Sequence, residues 1–207
     1  MIIGVVGFQG AVSEHFEALH AAMRKMRISG KVIEIRSAAD VDRADGIVIP
    51  GGESTTISRL LCRSGAFDRI VERAEKEDLP IMGTCAGCIL LAKGGDEQVK
   101  KTGKVLGLMD MSVNRNAFGR QKESFEVSLD VSGIAKGFPG VFIRGPSITD
   151  VHGRCKALCE FEGNIVAARQ GRRIALCFHP ELTGDLRIHE HFLKMVQEWK
   201  KSRGKKR

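Results

Sequence analysis

Apolar and polar residues alternate along the first half of the chain in two recurring patterns. Short runs of consecutive apolar, often β-branched residues predict buried strands at 2–6, 31–36, 46–50 and 79–83. Segments with apolar residues at helical spacing follow, beginning near Ser13 as a candidate N-cap, near Thr55 or Thr56, at Phe67 and at Cys85. Strands that alternate with helices through short connections predict a parallel sheet covered on both faces.

The second half has a different pattern, because its strand signals follow one another without intervening helices. The predicted strands lie at 125–130, 140–145, 156–163, 164–170 and 173–178. An amphipathic helix is predicted over 186–200. We therefore expect one α/β domain at 1–199, with a sheet that is parallel at first and mixed later, and a basic C-terminal tail at 200–207.

Composition and charge narrow the class of protein without choosing a function. The 43% hydrophobic and 28% charged fractions are ordinary for a globular protein and exclude a mostly disordered or fibrous chain. Six of the cations behind the net charge of +8 lie in the last eight residues, so we interpret them as a solvated tail; contact with nucleic acid or a membrane is the alternative. No apolar run approaches the roughly 20 residues of a membrane span, and no signal peptide is apparent.

The strongest chemical signal is the pentapeptide GTCAG at 83–87, between a predicted strand and a predicted helix. Small residues two positions before and after Cys85 permit the sharp turn that exposes a nucleophile. A helix N-terminus favours the thiolate, and the backbone N–H of Ala86 would face a developing oxyanion. A cysteine buried between packed elements is the alternative interpretation.

A second signal, FHPE at 178–181, follows the last predicted strand. In an extended segment His179 and Glu181 would project to the same side, with Pro180 stiffening the spacing. A carboxylate beside an imidazole fixes its tautomer, as the base of a nucleophile requires. A lone His-x-Glu is more often a surface ion pair, but together with Cys85 it completes a nucleophile, base and orienting group.

The glycine-rich segment PGGESTT at 50–56 also follows a predicted strand. Adjacent glycines let backbone N–H groups approach a ligand, so this segment could supply a second oxyanion donor. It lacks the lysine of a phosphate-binding Walker A loop, and a plain strand-to-helix turn is the alternative.

Cysteine and histidine spacing raises a competing hypothesis of a zinc or dithiol site. The pairs are Cys85 with Cys88 and Cys155 with Cys159, but their apolar, regular surroundings disfavour chelation, and we expect no metal. The remaining thiols are interpreted as small core residues: Cys62, Cys88, Cys159 and Cys177. His15 is interpreted as a cap or contact residue at a helix start, and the other histidines outside the FHPE motif as surface or partly buried: His20, His152, His189 and His191.

The three motifs in this order resemble class I glutamine amidotransferases, and more finely the glutaminase subunits of pyridoxal 5′-phosphate synthases. Six segments carry the finer resemblance: 4–15 (GVVGFQGAVSEH), 50–56, 83–87, 114–121 (NRNAFGRQ), 140–146 (GVFIRGP) and 178–183 (FHPELT). The resemblance implies a flavodoxin-like α/β fold with a mixed, mostly parallel sheet and helices on both faces. It also implies cytoplasmic hydrolysis of L-glutamine to L-glutamate and ammonia through a cysteine thioester.

The resemblance further implies roles for individual residues. The catalytic triad is Cys85, His179 and Glu181. The substrate-binding residues are Gly52, Glu53, Ser54, Arg115, Ile143 and Arg144, and the oxyanion donors are Gly52 and Ala86. Gln9 and Gly10 would lie near the interface with the lyase subunit of the synthase, which receives the ammonia in a hetero-oligomeric complex. No cofactor, metal, membrane or nucleic acid is implied; the alternatives are a glutaminase for another amidotransferase, or a zinc- or nucleic-acid-binding module.

Overall fold

A computed structural model describes residues 1–101, 103–115, 124–143 and 145–204. Strands and helices alternate through the first half, as the apolar pattern predicts. They are β1 (Ile2–Val6), α1 (Val12–Lys25), β2 (Lys31–Ile35), α2 (Ala38–Arg43), β3 (Gly46–Ile49), α3 (Ser54–Arg63), α4 (Ala66–Glu77), β4 (Ile81–Thr84) and α5 (Ala86–Leu91).

The second half is mainly strands. It contains β5 (Ala92–Gly95), α6 (Glu97–Lys100), β6 (Met109–Asn114), β7 (Phe125–Val131), β8 (Ala135–Phe142), β9 (Ser147–Val151), β10 (Lys156–Phe161), β11 (Asn164–Gln170), β12 (Arg173–Leu176), a 3-10 turn (Pro180–Leu182) and α7 (Arg187–Gly204). β7 and β8 form a separate antiparallel ribbon.

One large sheet organises the fold, with strand order β2-β1-β3-β4-β12-β11-β9-β6-β5 and β10 beside β11. The first five strands in that order are parallel. Beyond β12 the sheet becomes mixed, because β11 pairs antiparallel with β12 and β9, whereas β5 and β6 are parallel. The expected mixed, mostly parallel α/β fold is confirmed.

The parallel register determines where a site can form. Ile49 of β3 pairs with Gly83 of β4, and Thr84 pairs with Leu176 of β12. The segments after these three strands therefore leave the sheet at one edge. Clefts at the carboxyl ends of parallel strands are the usual ligand sites of open α/β sheets.

Several predicted boundaries are corrected by local hydrogen bonding. Ser13 is not an N-cap, because α1 begins at Val12 and the Ser13 hydroxyl bonds to Glu14 instead. The helix expected near Thr55 begins at Ser54, because the Glu53 carboxylate caps it by accepting from the backbone N–H groups of Thr55 and Thr56. The helix expected over 85–93 spans only Ala86–Leu91, because β5 begins at Ala92. α2, β5, α6, β6 and β9 were not predicted.

The last helix continues past residue 199, the expected boundary between the domain and the basic tail. The division of the chain into domain and tail stays a prediction. α7 continues to Gly204, and the Lys200 ammonium donates to Asp45 at 2.7 Å. Arg203 pairs with Glu77 and lies 4.8 Å from the Trp199 ring centroid. These exposed basic residues thus extend a folded helix. Over the described ranges, no helix combines the length and apolarity needed to cross a bilayer.

Candidate active site

Cys85 occupies a sharp turn between β4 and α5. Its φ of 48° and ψ of −100° place it among the few non-glycine residues with positive φ, a backbone strain that clusters at functional sites. Its backbone N–H donates to Leu176 O at 2.8 Å, which anchors the turn to β12. The residue is 9% exposed, so the thiol is nearly buried at the edge of the sheet.

The two glycines around this turn are required by close backbone packing. A Cβ at Gly83 would lie 2.6 Å from the backbone of Gly87, and a Cβ at Gly87 would lie 2.2 Å from Ile49 O. Neither position has room for a side chain, because α5 sits directly on β3 and β4. The spacing of small residues in the GTCAG motif therefore has a steric cause.

His179 and Glu181 lie side by side after β12. His179 Nδ1 donates to Glu181 Oε1 at 2.7 Å, and the His179 backbone N–H donates to Val141 O at 2.8 Å. The segment is not extended as expected: Pro180 opens a 3-10 turn, and that turn brings the carboxylate back to the imidazole. Both side chains are buried, so the pair is not a surface ion pair.

The charges around His179 favour its protonated form. Burial by itself lowers the pKa of this imidazole, but hydrogen bonds to Cys85 and Glu181 outweigh it and raise the pKa to about 10. With Nδ1 bonded to Glu181, Nε2 is the nitrogen that remains for Cys85. The three side chains therefore form a continuous thiol, imidazole and carboxylate.

The glycine-rich segment after β3 closes over this triad. A Cβ at Gly51 would lie 2.4 Å from His179 Cε1 and 3.3 Å from Cys85 Cβ. The loop before α1 holds the segment in place: Ala11 N–H donates to Gly51 O at 3.1 Å, and Glu53 N–H donates to Gln9 Oε1 at 2.7 Å.

Gly10 lies where the two loops come closest. Its φ is 102°, and a Cβ there would lie 1.7 Å from Gly51 O. Gln9 and Gly10 are both exposed to solvent, and both contact the 51–53 segment beside the triad.

A cavity of about 420 Å³ opens beside Cys85, within the size range of small-molecule sites. Its wall consists of Gln9, Gly52, Glu53, Ser54, Cys85, Ala86, Ile89, Arg115 and Pro146. The structure thus brings most of the predicted site residues around one space. Ile89 and Pro146 were not predicted as site residues. Ile89 carries no local sequence signal, whereas Pro146 ends the 140–146 segment of the resemblance.

Glu53 and Arg115 form an ion pair in the cavity wall, with Arg115 Nη2 2.6 Å from Glu53 Oε1. Desolvation raises the pKa of this carboxyl. Hydrogen bonds from Thr56, Arg115 and Thr55 outweigh that effect and hold the pKa at about 2. Glu53 is therefore ionised at neutral pH, and its bond orients the Arg115 guanidinium.

One predicted substrate residue does not line the described cavity. Ile143 follows β8, is 42% exposed, and is absent from the described wall of the cavity. Arg144 lies outside the described residues, as do 116–121 of the NRNAFGRQ segment.

Several cysteines and histidines differ from expectation. Cys62 is exposed instead of buried, and His189 is fully buried. Cys88 and Cys177, by contrast, are core residues as expected, with their sulfur atoms 3.9 Å apart. Within the described ranges, no group of three or more His, Cys, Asp or Glu side chains could hold a metal ion.

Comparison with known proteins finds a matching family and similar relatives. Residues 5–198 match the SNO glutamine amidotransferase family. The pyridoxal 5′-phosphate synthase subunit PdxT of Methanosarcina mazei is 54% identical over 95% of this chain and 98% of its own, and that of Archaeoglobus fulgidus is 54% identical over 94% and 98%. A solved structure described as a glutamine amidotransferase superposes with a TM-score of 0.84 at 38% identity, covering 95% of this chain and all of the other.

Proposed function

This chain belongs to the SNO glutamine amidotransferase family, and we propose that it is the glutaminase subunit of a pyridoxal 5′-phosphate synthase. One observation carries the catalytic part: His179, bonded to Glu181 at 2.7 Å, interacts with Cys85, and Cys85 opens into a cavity. The relatives named as PdxT subunits, similar over almost their whole length, support the synthase as the destination of the ammonia.

The proposed reaction proceeds through a thioester. Cys85 Sγ attacks the amide carbon of L-glutamine, and the backbone N–H groups of Gly52 and Ala86 stabilise the oxyanion. The C–N bond then breaks as His179 donates a proton to the departing ammonia. The neutral His179 next takes a proton from water, whose oxygen attacks the thioester. L-glutamate leaves and the thiol is restored, with Glu181 holding the imidazole in one tautomer throughout.

Substrate binding in this proposal uses the polar wall of the cavity. A zwitterionic amino acid needs a cation for its carboxylate, and Arg115 is the described guanidinium that lines the cavity. Glu53 orients that guanidinium, and Ser54 begins α3 at the same wall. We extend the substrate role to Ile143 and Arg144 on the resemblance of the 140–146 segment alone.

Replacing Arg115 by methionine is expected to raise the KM for glutamine by roughly 10- to 100-fold, because a charged hydrogen bond contributes about 1.5–3 kcal/mol. The kcat should fall much less, since Arg115 is remote from the broken bond in this proposal. Initial rates of glutamate formation over a range of glutamine concentrations measure both constants. Arg154→Met, at an exposed position away from the cavity, is the matched control. An unchanged KM in Arg115→Met would contradict the role.

The proposed partner is the lyase subunit of the synthase. It would approach over the exposed loop at Gln9 and Gly10, which contacts the 51–53 segment directly. Through that contact a docked partner could set the backbone donors beside Cys85. The complex would work in the cytoplasm, where a reducing environment keeps Cys85 as a free thiol.

Ammonia release from L-glutamine, measured with and without a purified synthase lyase subunit, tests the proposal. We expect weak release from the isolated chain and a strong rise on adding the partner. A folded, reduced chain that releases no ammonia in either condition would refute the glutaminase assignment. If ammonia release rises with the ammonia-accepting subunit of a different amidotransferase, and not with the lyase subunit of pyridoxal 5′-phosphate synthase, the assigned pathway is refuted.

A further inference from the structure

A second histidine lies behind the triad, on the side of Glu181 that faces away from His179. His15, from α1, is fully buried, and its Nε2 lies 3.0 Å from Thr84 Oγ1 and 3.4 Å from Glu181 Oε2. That carboxylate oxygen is buried and has no well-formed hydrogen bond within the described part of the chain. His15 Nε2 is therefore the polar group that lies next to Glu181 Oε2.

A third histidine supports His15 from the opposite side. His189 Nε2, from α7, lies 3.3 Å from His15 Nδ1, and His189 is also fully buried. Burial holds the pKa of His15 well below its usual range, and repulsion from His189 and His179 in their protonated forms lowers it further. Burial likewise lowers the pKa of His189 to about 4. Both imidazoles are thus neutral at physiological pH, and each has one donor and one acceptor nitrogen.

The contacts determine which nitrogen of His15 carries the proton. A carboxylate only accepts hydrogen bonds, so a lone pair on His15 Nε2 at 3.4 Å from Glu181 Oε2 would be repelled. The Nε2–H tautomer instead directs its proton to the space shared by Glu181 and Thr84. His15 Nδ1 then accepts from His189 Nε2–H. His189 Nδ1 becomes the lone-pair nitrogen, in agreement with its having no hydrogen-bond partner among the described residues.

We propose that His15 is a positioning residue of the glutaminase, which as the Nε2–H tautomer orients the Glu181 carboxylate that in turn aligns His179. This inference deepens the proposed function and rests on it. Thr84 directly precedes Cys85, so His15 also connects the strand that carries the nucleophile to the carboxylate of the base. Without this donor a buried carboxylate oxygen would lose its polar neighbour, and the carboxylate would turn to recover one. His179 would then lose its alignment with the sulfur.

Two substitutions separate positioning from packing. His15→Leu removes both ring nitrogens and keeps an apolar side chain, whereas His15→Gln retains an amide N–H that reaches about as far as Nε2. For His15→Leu we expect kcat to fall on the order of 10- to 100-fold, as for other outer-shell partners that orient a functional group, with little change in KM. His15→Gln should recover kcat to within about threefold of the wild type. His20→Leu, exposed on the same helix, is the matched control and should keep wild-type constants.

Steady-state glutaminase assays of the complex with the lyase subunit give kcat and KM for each variant. A wild-type kcat in His15→Leu would overturn the proposal, and so would an equal loss in His15→Gln and His15→Leu. Circular dichroism and thermal unfolding establish that each variant is folded. If His15 had a merely structural role, its substitution would lower the Tm, and His15→Gln would not recover the kcat lost in His15→Leu.

A measurement on the unmodified chain keeps the inference testable if His15→Leu does not fold. Nitrogen-15 NMR of the histidine-labelled protein distinguishes a protonated Nε2 from a protonated Nδ1. A neutral His15 with Nε2–H supports the proposal, and a neutral His15 with Nδ1–H overturns it. This test needs neither glutamine nor the partner. Failure of the wild-type complex to release ammonia would instead refute the proposed function, whatever the tautomer of His15.

Discussion

Cys85→Ala is expected to lower the kcat for glutamine by a factor of about 10⁴ or more, since removing the nucleophile of a catalytic unit leaves only binding and oxyanion stabilisation. The substitution should slow the chemical step and leave folding and substrate binding intact. Alanine retains the Cβ that the turn already accommodates at a φ of 48°, so the backbone strain does not change. Stability should therefore be close to that of the wild type, and glutamine should still bind.

Single-turnover release of ammonia in the presence of the lyase subunit measures this loss, and isothermal titration with glutamine measures binding. Cys62→Ala is the matched control, because Cys62 is an exposed cysteine on α3 away from the triad. Turnover by Cys85→Ala at more than about one hundredth of the wild-type rate would exclude a thioester on Cys85.

Gly51→Ala is expected to have the second-largest effect, a fall in kcat on the order of 10²-fold. The new methyl group would lie 2.4 Å from His179 Cε1, so either the imidazole or the loop must move. A displacement of about 1 Å in a catalytic group costs about 10²-fold in rate. The hydrogen bond from Ala11 N–H to Gly51 O restrains the loop, which directs most of the displacement to His179.

Gly184→Ala is the control for this substitution. A Cβ at Gly184 meets no atom within 4 Å, so its kcat should match the wild type. Steady-state assays with the lyase subunit give kcat for both variants, and thermal unfolding shows whether Gly51→Ala remains folded. A folded Gly51→Ala enzyme with a wild-type kcat would mean that the contact between Gly51 and His179 has no catalytic consequence.

Local patterns predicted the first half of the fold well. The strand at 2–6 has the predicted bounds, and α4 begins one residue before its predicted start at Phe67. Consecutive apolar residues and helical spacing are short-range signals, so they survive in a single sequence. β5, by contrast, has the sequence AKGG, which has no strand propensity. It is a strand because β6 lies beside it, and pairing between strands is absent from any local pattern.

The candidate site likewise contains residues that local motifs predicted and residues that only the tertiary structure brings together. The chain's own motifs, GTCAG and FHPE, were sufficient to identify Cys85, His179 and Glu181 as a group. His15, interpreted from the sequence as a cap or contact residue at a helix start, contacts Glu181. His189, expected near the surface, is buried behind it. Neither contact has a local sequence signature, since the residues around a helical histidine do not show whether it faces solvent or a carboxylate.

The sequence by itself determined the alternation of strands and helices, the sharp turn at Cys85 and the motifs of the family, because each of these is formed by residues close together in the chain. The tertiary structure alone decided the contacts that align the triad. Gly51 meets His179 only because β3 and β12 flank β4, and His15 meets a residue 174 positions away only because α1 and α7 pack together. Such contacts arise from the simultaneous packing of distant segments, and no single segment encodes them.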